Sequence, residues 1–129
     1  MKDKEKQRES SRRHYEAYKA RMKERAKAYT IKKRIALRRL VMAHLLLHPC
    51  VDCGEDDPVV LEFDHRDPAA KSFNIGDGVS RAYGTQRVKD EIAKCNVRCA
   101  NCHRRKTSST VWAQITRAEI ESESARSWQ

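Results

Sequence analysis

Two Cys-x-x-Cys pairs, Cys50-Val-Asp-Cys53 and Cys99-Ala-Asn-Cys102, constrain this chain more than any other feature. Each pair sets two thiolates on one tight turn, and two such turns supply the tetrahedral sulfur shell that Zn²⁺ prefers. Closing that shell joins two points separated by 45 residues, a longer insert than a simple zinc ribbon carries. A dithiol redox site would need one such motif in a βαβ setting, not two. The fifth cysteine, Cys95, lies four residues before Cys99 and reads as a small buried hydrophobe rather than a ligand. A metal staple suits a chain of 129 residues that is 39% hydrophobic and 36% charged, because its core must be small.

Charge divides the chain. Residues 1–47 carry 16 Lys/Arg against 5 Asp/Glu, a net of +11, whereas residues 48–129 carry 12 against 13, a net of −1. A basic segment joined to a near-neutral domain points to a polyanionic partner, most simply nucleic acid, with DNA the expected one. An anionic membrane surface competes with that reading, but the first 30 residues lack a Trp/Phe/Leu face. A merely solvated helix is the bland alternative. Residues 1–30 contain no apolar signal-peptide core, and no stretch approaches transmembrane length. With thiols that read as reduced metal ligands, the expectation is a cytoplasmic protein without a membrane partner.

Met1 to His48 contains no Gly and no Pro, which permits a long helix. Tyr15, Tyr18, Met22, Ala26 and Tyr29 recur at helical spacing, and Ala36, Leu40, Ala43 and Leu47 form a second stripe. Thr30 is a candidate cap, so the pattern allows one bent helix or two. The first ten residues are expected to fray. The leucine-richer half is expected to dock and the N-terminal half to project.

Beyond Pro49 the pattern changes. Val59–His65 is predicted as a strand, with Val59, Leu61, Phe63 and His65 on one face and Val60, Glu62 and Asp64 on the other. Residues 66–85, with Pro68 and three of the four glycines, read as loop. Gln86–Lys94 reads as a short helix anchored by Val88, Ile92 and Ala93, and Cys95–Arg98 as a short strand. A further helix should start near Asn101 and be interrupted or renewed at Thr107–Thr110, before a terminal helix around Val111, Trp112 and Ile115. The predicted organisation is α+β: a basic helical extension (1–47), a zinc-bound domain (48–110) and a C-terminal helix or tail (111–129).

Asp64, His65 and His103 exceed what a structural zinc needs. The zinc would fix His103 beside the second knuckle, and the strand would return Asp64 and His65 alongside it. One carboxylate and one imidazole, completed by water and phosphate oxygens, make an open Mg²⁺ or Mn²⁺ site. The second imidazole then remains as a general base near working pH. Metal, base and nearby cations are what phosphodiester hydrolysis requires. His44 and His48, four apart, lack the intervening Glu of the H-E-x-x-H metal motif.

The ordered set Cys50-x-x-Cys53, Leu61-Glu-Phe-Asp64-His65, Glu91-Ile-Ala-Lys-Cys95 and Cys99-Ala-Asn-Cys102-His103-Arg-Arg-Lys106-Thr107 resembles the zinc-containing HNH endonucleases of the ββα-metal (His-Me finger) superfamily. The likeness is to phage and bacterial members with a basic helical N-terminus, and it covers about residues 48–108. It implies a zinc-stapled ββα-metal domain in the cytoplasm of a bacterial or phage-infected cell. It also implies His65 as general base, with Asp64 and His103 holding one catalytic Mg²⁺ or Mn²⁺. Cys50, Cys53, Cys99 and Cys102 would hold structural Zn²⁺, and cleavage would leave 5′-phosphate and 3′-hydroxyl ends. Many members carry an Asn nine residues before the final His, where this chain has Lys94; Asn96 is the substitute expected to orient the base. Arg66, Arg104, Arg105, Lys106, Arg34 and Arg38 are the expected phosphate contacts. A non-catalytic zinc-bound DNA-binding module, or a nuclease for RNA or branched DNA, stays open.

Overall fold

The computed structural model describes residues 2–111 and 115–127. The order is α1 (Lys2–Leu47), β1 (Leu61–His65), a 3-10 turn (Pro68–Ala70), α2 (Ile75–Ser80), α3 (Thr85–Ile92), β2 (Cys95–Cys99), α4 (Ala100–Val111) and α5 (Arg117–Ser127). This is a mixed fold in which helices surround one small two-stranded sheet. Among the described residues no helix is long and apolar enough to cross a membrane.

α1 runs unbroken for 46 residues, about 69 Å at 1.5 Å per residue. Thr30 does not start a second helix, because its hydroxyl donates to the Ala26 carbonyl one turn back. Helix begins at Lys2 rather than after a frayed stretch, with Asp3 and Glu5 in the first turn complementing the helix dipole. The buried stripe on α1 is Leu37 and Leu45, flanked by half-buried Leu40, Val41 and His44. Ala36, Ala43 and Leu47, expected on that stripe, are exposed. The docked face is thus rotated by about one residue from the alanine-containing pattern, because the larger side chains fill the groove. Tyr15, Tyr18 and Tyr29 are exposed, and every residue from Lys2 to Arg21 is exposed.

β1 and β2 pair antiparallel, with Leu61 opposite Cys99, Phe63 opposite Val97, Asp64 opposite Asn96 and His65 opposite Cys95. Alternation sends Leu61, Phe63, His65, Cys95, Val97 and Cys99 to one face. There Leu61, Val97 and Cys99 join Leu45, Cys50 and Cys102 in one core cluster. Glu62, Asp64, Arg66, Asn96 and Arg98 take the other face. A second cluster, Leu37, Ile75, Val79, Val88 and Ile92, sits between α1 and the segment joining the strands; Val41 and Phe63 pack against both clusters.

The region expected as loop is half helical. It holds the 3-10 turn and α2, whose Ile75 and Val79 are buried. The glycines and Pro68 obscure that pattern in the sequence: Asp67 caps the turn by accepting from the Ala69 amide, and Gly78 lies against Phe73 where a side chain would collide. α4 runs through Thr107–Thr110 without a break, with the Thr107 hydroxyl donating to the His103 carbonyl. Of the three anchors expected for the terminal helix, Val111 ends α4, Ile115 is exposed and Trp112 lies outside the described residues.

Candidate functional site

The four cysteine sulfurs of Cys50, Cys53, Cys99 and Cys102 lie within 4.8 Å of one another. Cys53 Sγ and Cys99 Sγ are 3.7 Å apart, matching the roughly 3.8 Å edge of a tetrahedron with Zn–S bonds of about 2.3 Å. The backbone prepares this geometry. The Gly54 amide donates to the Cys50 carbonyl (2.9 Å), the Cys102 amide donates to Cys99 Sγ (3.4 Å), and Gly54 turns the chain at φ +78°, where a side chain would be strained. Burial works to raise the Cys50 thiol, but hydrogen bonds from the Cys53, Cys99 and Asp52 amides bring it down to about 6. Cys102 is pushed up to about 12, chiefly by its contacts with the Cys99 and Cys53 sulfurs. Four thiolates at this spacing need a cation between them, and a divalent ion such as zinc fits the donor set. Cys95 stands apart: buried, with its thiol pushed up to about 11 by burial.

Beside the knuckles, a cavity of about 390 Å³ is lined by Glu62, Phe63, Asp64, His65, Pro68, Lys71, Asn74, Ile75, Gly76 and His103. Four consecutive residues of β1 line it and none of β2, so it runs along the unpaired edge of β1. The residues predicted from two distant motifs therefore meet. Asp64 Oδ1 and His103 Nε2 face each other at 3.7 Å, beyond hydrogen-bond length. The remaining atoms of both groups are occupied. His103 Nδ1 donates to Glu62 Oε2 (2.7 Å), and Asp64 Oδ2 accepts from Lys106 Nζ (2.6 Å) and Arg98 Nη1. Burial disfavours the Asp64 anion, yet Lys106 and Arg98 hold its carboxyl below the usual range. The pair thus presents one carboxylate oxygen and one imidazole nitrogen to a common gap. An imidazole braced by a carboxylate on its other nitrogen is the usual arrangement of a metal-binding histidine.

His65 occupies the other side of β1. Its Nε2 donates to Glu91 Oε1 (2.7 Å), and Glu91, on α3, is 2% exposed. Burial would raise the Glu91 carboxyl, but hydrogen bonds from Lys94, the Ser72 amide, His65 and the Phe73 amide hold it down at about 2.

The structure does not bring Asn96 to His65. Asn96 is paired with Asp64 and so shares its face of the sheet, opposite to that of His65; its Oδ1 meets Arg66 Nη1 at 3.5 Å. Arg66, expected on phosphate, instead donates to the Cys95 carbonyl (3.0 Å) and the Ala93 carbonyl, closing the end of α3. Arg34 similarly donates to the Ser80 carbonyl (2.7 Å) and ties α1 to the end of α2. Lys106 braces Asp64, whereas Arg38, Arg104 and Arg105 are exposed side chains. His44 and His48 stack face to face with ring centroids 3.9 Å apart, and His48 Nδ1 donates to the His44 carbonyl, an arrangement unsuited to chelation.

Sequence reasoning missed the roles of Glu62, Glu91, Lys94 and Arg98. Glu62 carried a signal, being two residues from Asp64 on one strand face. Glu91 carried a stronger one: it falls on the face of α3 that buries Val88 and Ile92, where a carboxylate needs partners. No protein family, curated protein or solved structure matches the chain.

Proposed function

We propose that this protein is a metal-dependent endonuclease of the HNH, ββα-metal type, hydrolysing phosphodiester bonds in DNA. The observation that carries the reading is the convergence of Asp64, His65 and His103 on one cavity beside the four-cysteine centre. β1, β2 and α4 would form the ββα unit, and zinc at the cysteines would clamp α4 onto the sheet without entering the chemistry. Asp64 Oδ1 and His103 Nε2 are the groups that would hold Mg²⁺ or Mn²⁺, with Glu62 fixing the imidazole. Such an ion supplies charge stabilisation at the scissile phosphate and the leaving 3′ oxygen. His65, anchored through Nε2, retains Nδ1 to take a proton from water. Lys71, which lines the cavity, and the exposed Arg104 and Arg105, which follow His103 on α4, would meet flanking phosphates, and the +11 extension would follow the backbone by charge rather than by base contacts.

The test is plasmid nicking with Mg²⁺ or Mn²⁺, comparing the wild type with His65→Ala and Asp64→Ala. Loss of at least about a hundredfold in each variant is expected for removal of a general base or metal ligand; equal nicking by all three proteins would sink the assignment. The pairing of Asp64 with Arg98 and Lys106 favours a second reading, in which Asp64 is a structural ion-pair partner within a non-catalytic zinc-bound DNA-binding module. Retained DNA binding without cleavage under either metal would select it. Cleavage confined to RNA or branched DNA would keep the site and change the substrate.

A further inference from the structure

The position nine residues before His103 holds Lys94, and Lys94 is engaged in the network around the proposed base. Its Nζ donates to Glu91 Oε2 (2.7 Å), to the Ala70 carbonyl (3.0 Å) and to Ser72 Oγ (3.0 Å). Glu91 Oε1 accepts from His65 Nε2 (2.7 Å), the Ser72 amide (2.8 Å) and the Phe73 amide (3.4 Å). One buried carboxylate therefore gathers the end of β1, the segment after the 3-10 turn, and the last turn of α3. Lys71, within the bonded segment, and Asn74, just after it, line the cavity.

We propose that Glu91, braced by Lys94, is the positioning residue that sets the tautomer of His65 and, through residues 70–73, the wall of the cavity it faces. An ionised carboxylate has only acceptor sites. Its contact with Nε2 requires that nitrogen to carry the hydrogen, so Nδ1 of the neutral ring is bare. A base needs a bare nitrogen toward water, and the wrong tautomer offers an N–H there instead. An Asn side chain, with both a donor and an acceptor, could orient an imidazole but would not enforce one tautomer; a buried anion does. The role given to Nδ1 rests on the endonuclease reading, whereas the tautomer itself does not.

The experiment is long-range ¹H–¹⁵N correlation spectroscopy of the zinc-loaded full chain at mildly alkaline pH, where the nitrogen shifts distinguish the two tautomers of the neutral ring. It compares the wild type, Glu91→Gln and Lys94→Met, and is paired with kcat and KM for nicking. In the wild type His65 is expected almost wholly as the Nε2–H form. Glu91→Gln is expected to populate the Nδ1–H form, because an amide can donate as well as accept. Its kcat should fall about tenfold to a hundredfold, part of the whole contribution of a general base, with KM little changed. Lys94→Met, which leaves the carboxylate in place, should keep the Nε2–H form. A wild-type His65 protonated on Nδ1 overturns the proposal whether or not Glu91→Gln folds. So does a folded Glu91→Gln with an unchanged tautomer. If the tautomer follows Glu91 but the wild type cleaves no nucleic acid, the positioning role stands and the endonuclease reading fails.

Discussion

Glu62 and Glu91, each bonded to one of the two imidazoles, show how carboxylates acquire different work from their surroundings. Glu62 is half exposed and braces His103 from outside, whereas Glu91 is buried and saturated with donors. On the proposed reading, Glu62→Gln should weaken Mn²⁺ binding about tenfold to a hundredfold, as loss of a partner behind a metal-binding imidazole does; titration followed by Mn²⁺ electron paramagnetic resonance measures it. Glu91 also makes a pH prediction. Its carboxyl lies below the ordinary 4.5, at about 2, so its ionised contacts stabilise the fold above about pH 4.5, and that stabilisation disappears as pH falls through about 2. Between those values the thermal midpoint should drop more steeply for the wild type than for Glu91→Gln. Acid also releases a thiolate-bound metal from both proteins, so the difference between them is the observable.

At the scale of elements, the two knuckles form part of the core. Cys50, Cys99 and Cys102 are half of the cluster that also contains Leu45, Leu61 and Val97. Removing the metal would leave four sulfurs crowded together and uncompensated while loosening the attachment of α4 to β1. Chelation of the zinc-loaded protein should therefore abolish near-ultraviolet circular dichroism and expose thiols, with far-ultraviolet helix signal partly kept. Unchanged tertiary signal in metal-free protein would show that the cysteines do not clamp the fold. The second cluster, built on Leu37 and Val88, contains no cysteine and explains why some helix should persist.

At the scale of the whole molecule, charge and packing are segregated along α1. Its C-terminal part supplies Leu37, Leu40, Val41 and Leu45 to the core, while its basic N-terminal part meets solvent on all sides. Most helix stability in proteins comes from tertiary packing, and the exposed N-terminal part has almost none; on the proposed reading, contact with phosphates would supply the missing support. On that reading, deleting residues 2–21 should lower affinity for duplex DNA and flatten its salt dependence, by about 0.9 in the log–log slope for each phosphate no longer neutralised. Filter binding between about 50 and 200 mM salt measures this. Zinc content should not change, because none of those residues is buried.

Local chemistry made much of this legible beforehand. Spacing alone identified the cysteine quartet, because a metal site demands particular side chains at short separations. Hydrophobic alternation located β1 and the faces of Leu61–His65, although Val59 and Val60, expected in the strand, form the turn before it, and charge bookkeeping separated α1 from the rest. The tertiary structure decided what depends on partners distant in sequence. Docking of α1 selected Leu37 and Leu45 over the alanines of the neighbouring stripe. The antiparallel register sent Asn96 to the face away from His65, and a carboxylate 26 residues from His65 took the place beside it. Arg66 and Arg34 looked like phosphate ligands because charge is visible in a sequence; the carbonyls that claim them exist as neighbours only once the helix ends are in place. Composition and spacing determine which groups the chain possesses, whereas packing decides which of them face one another.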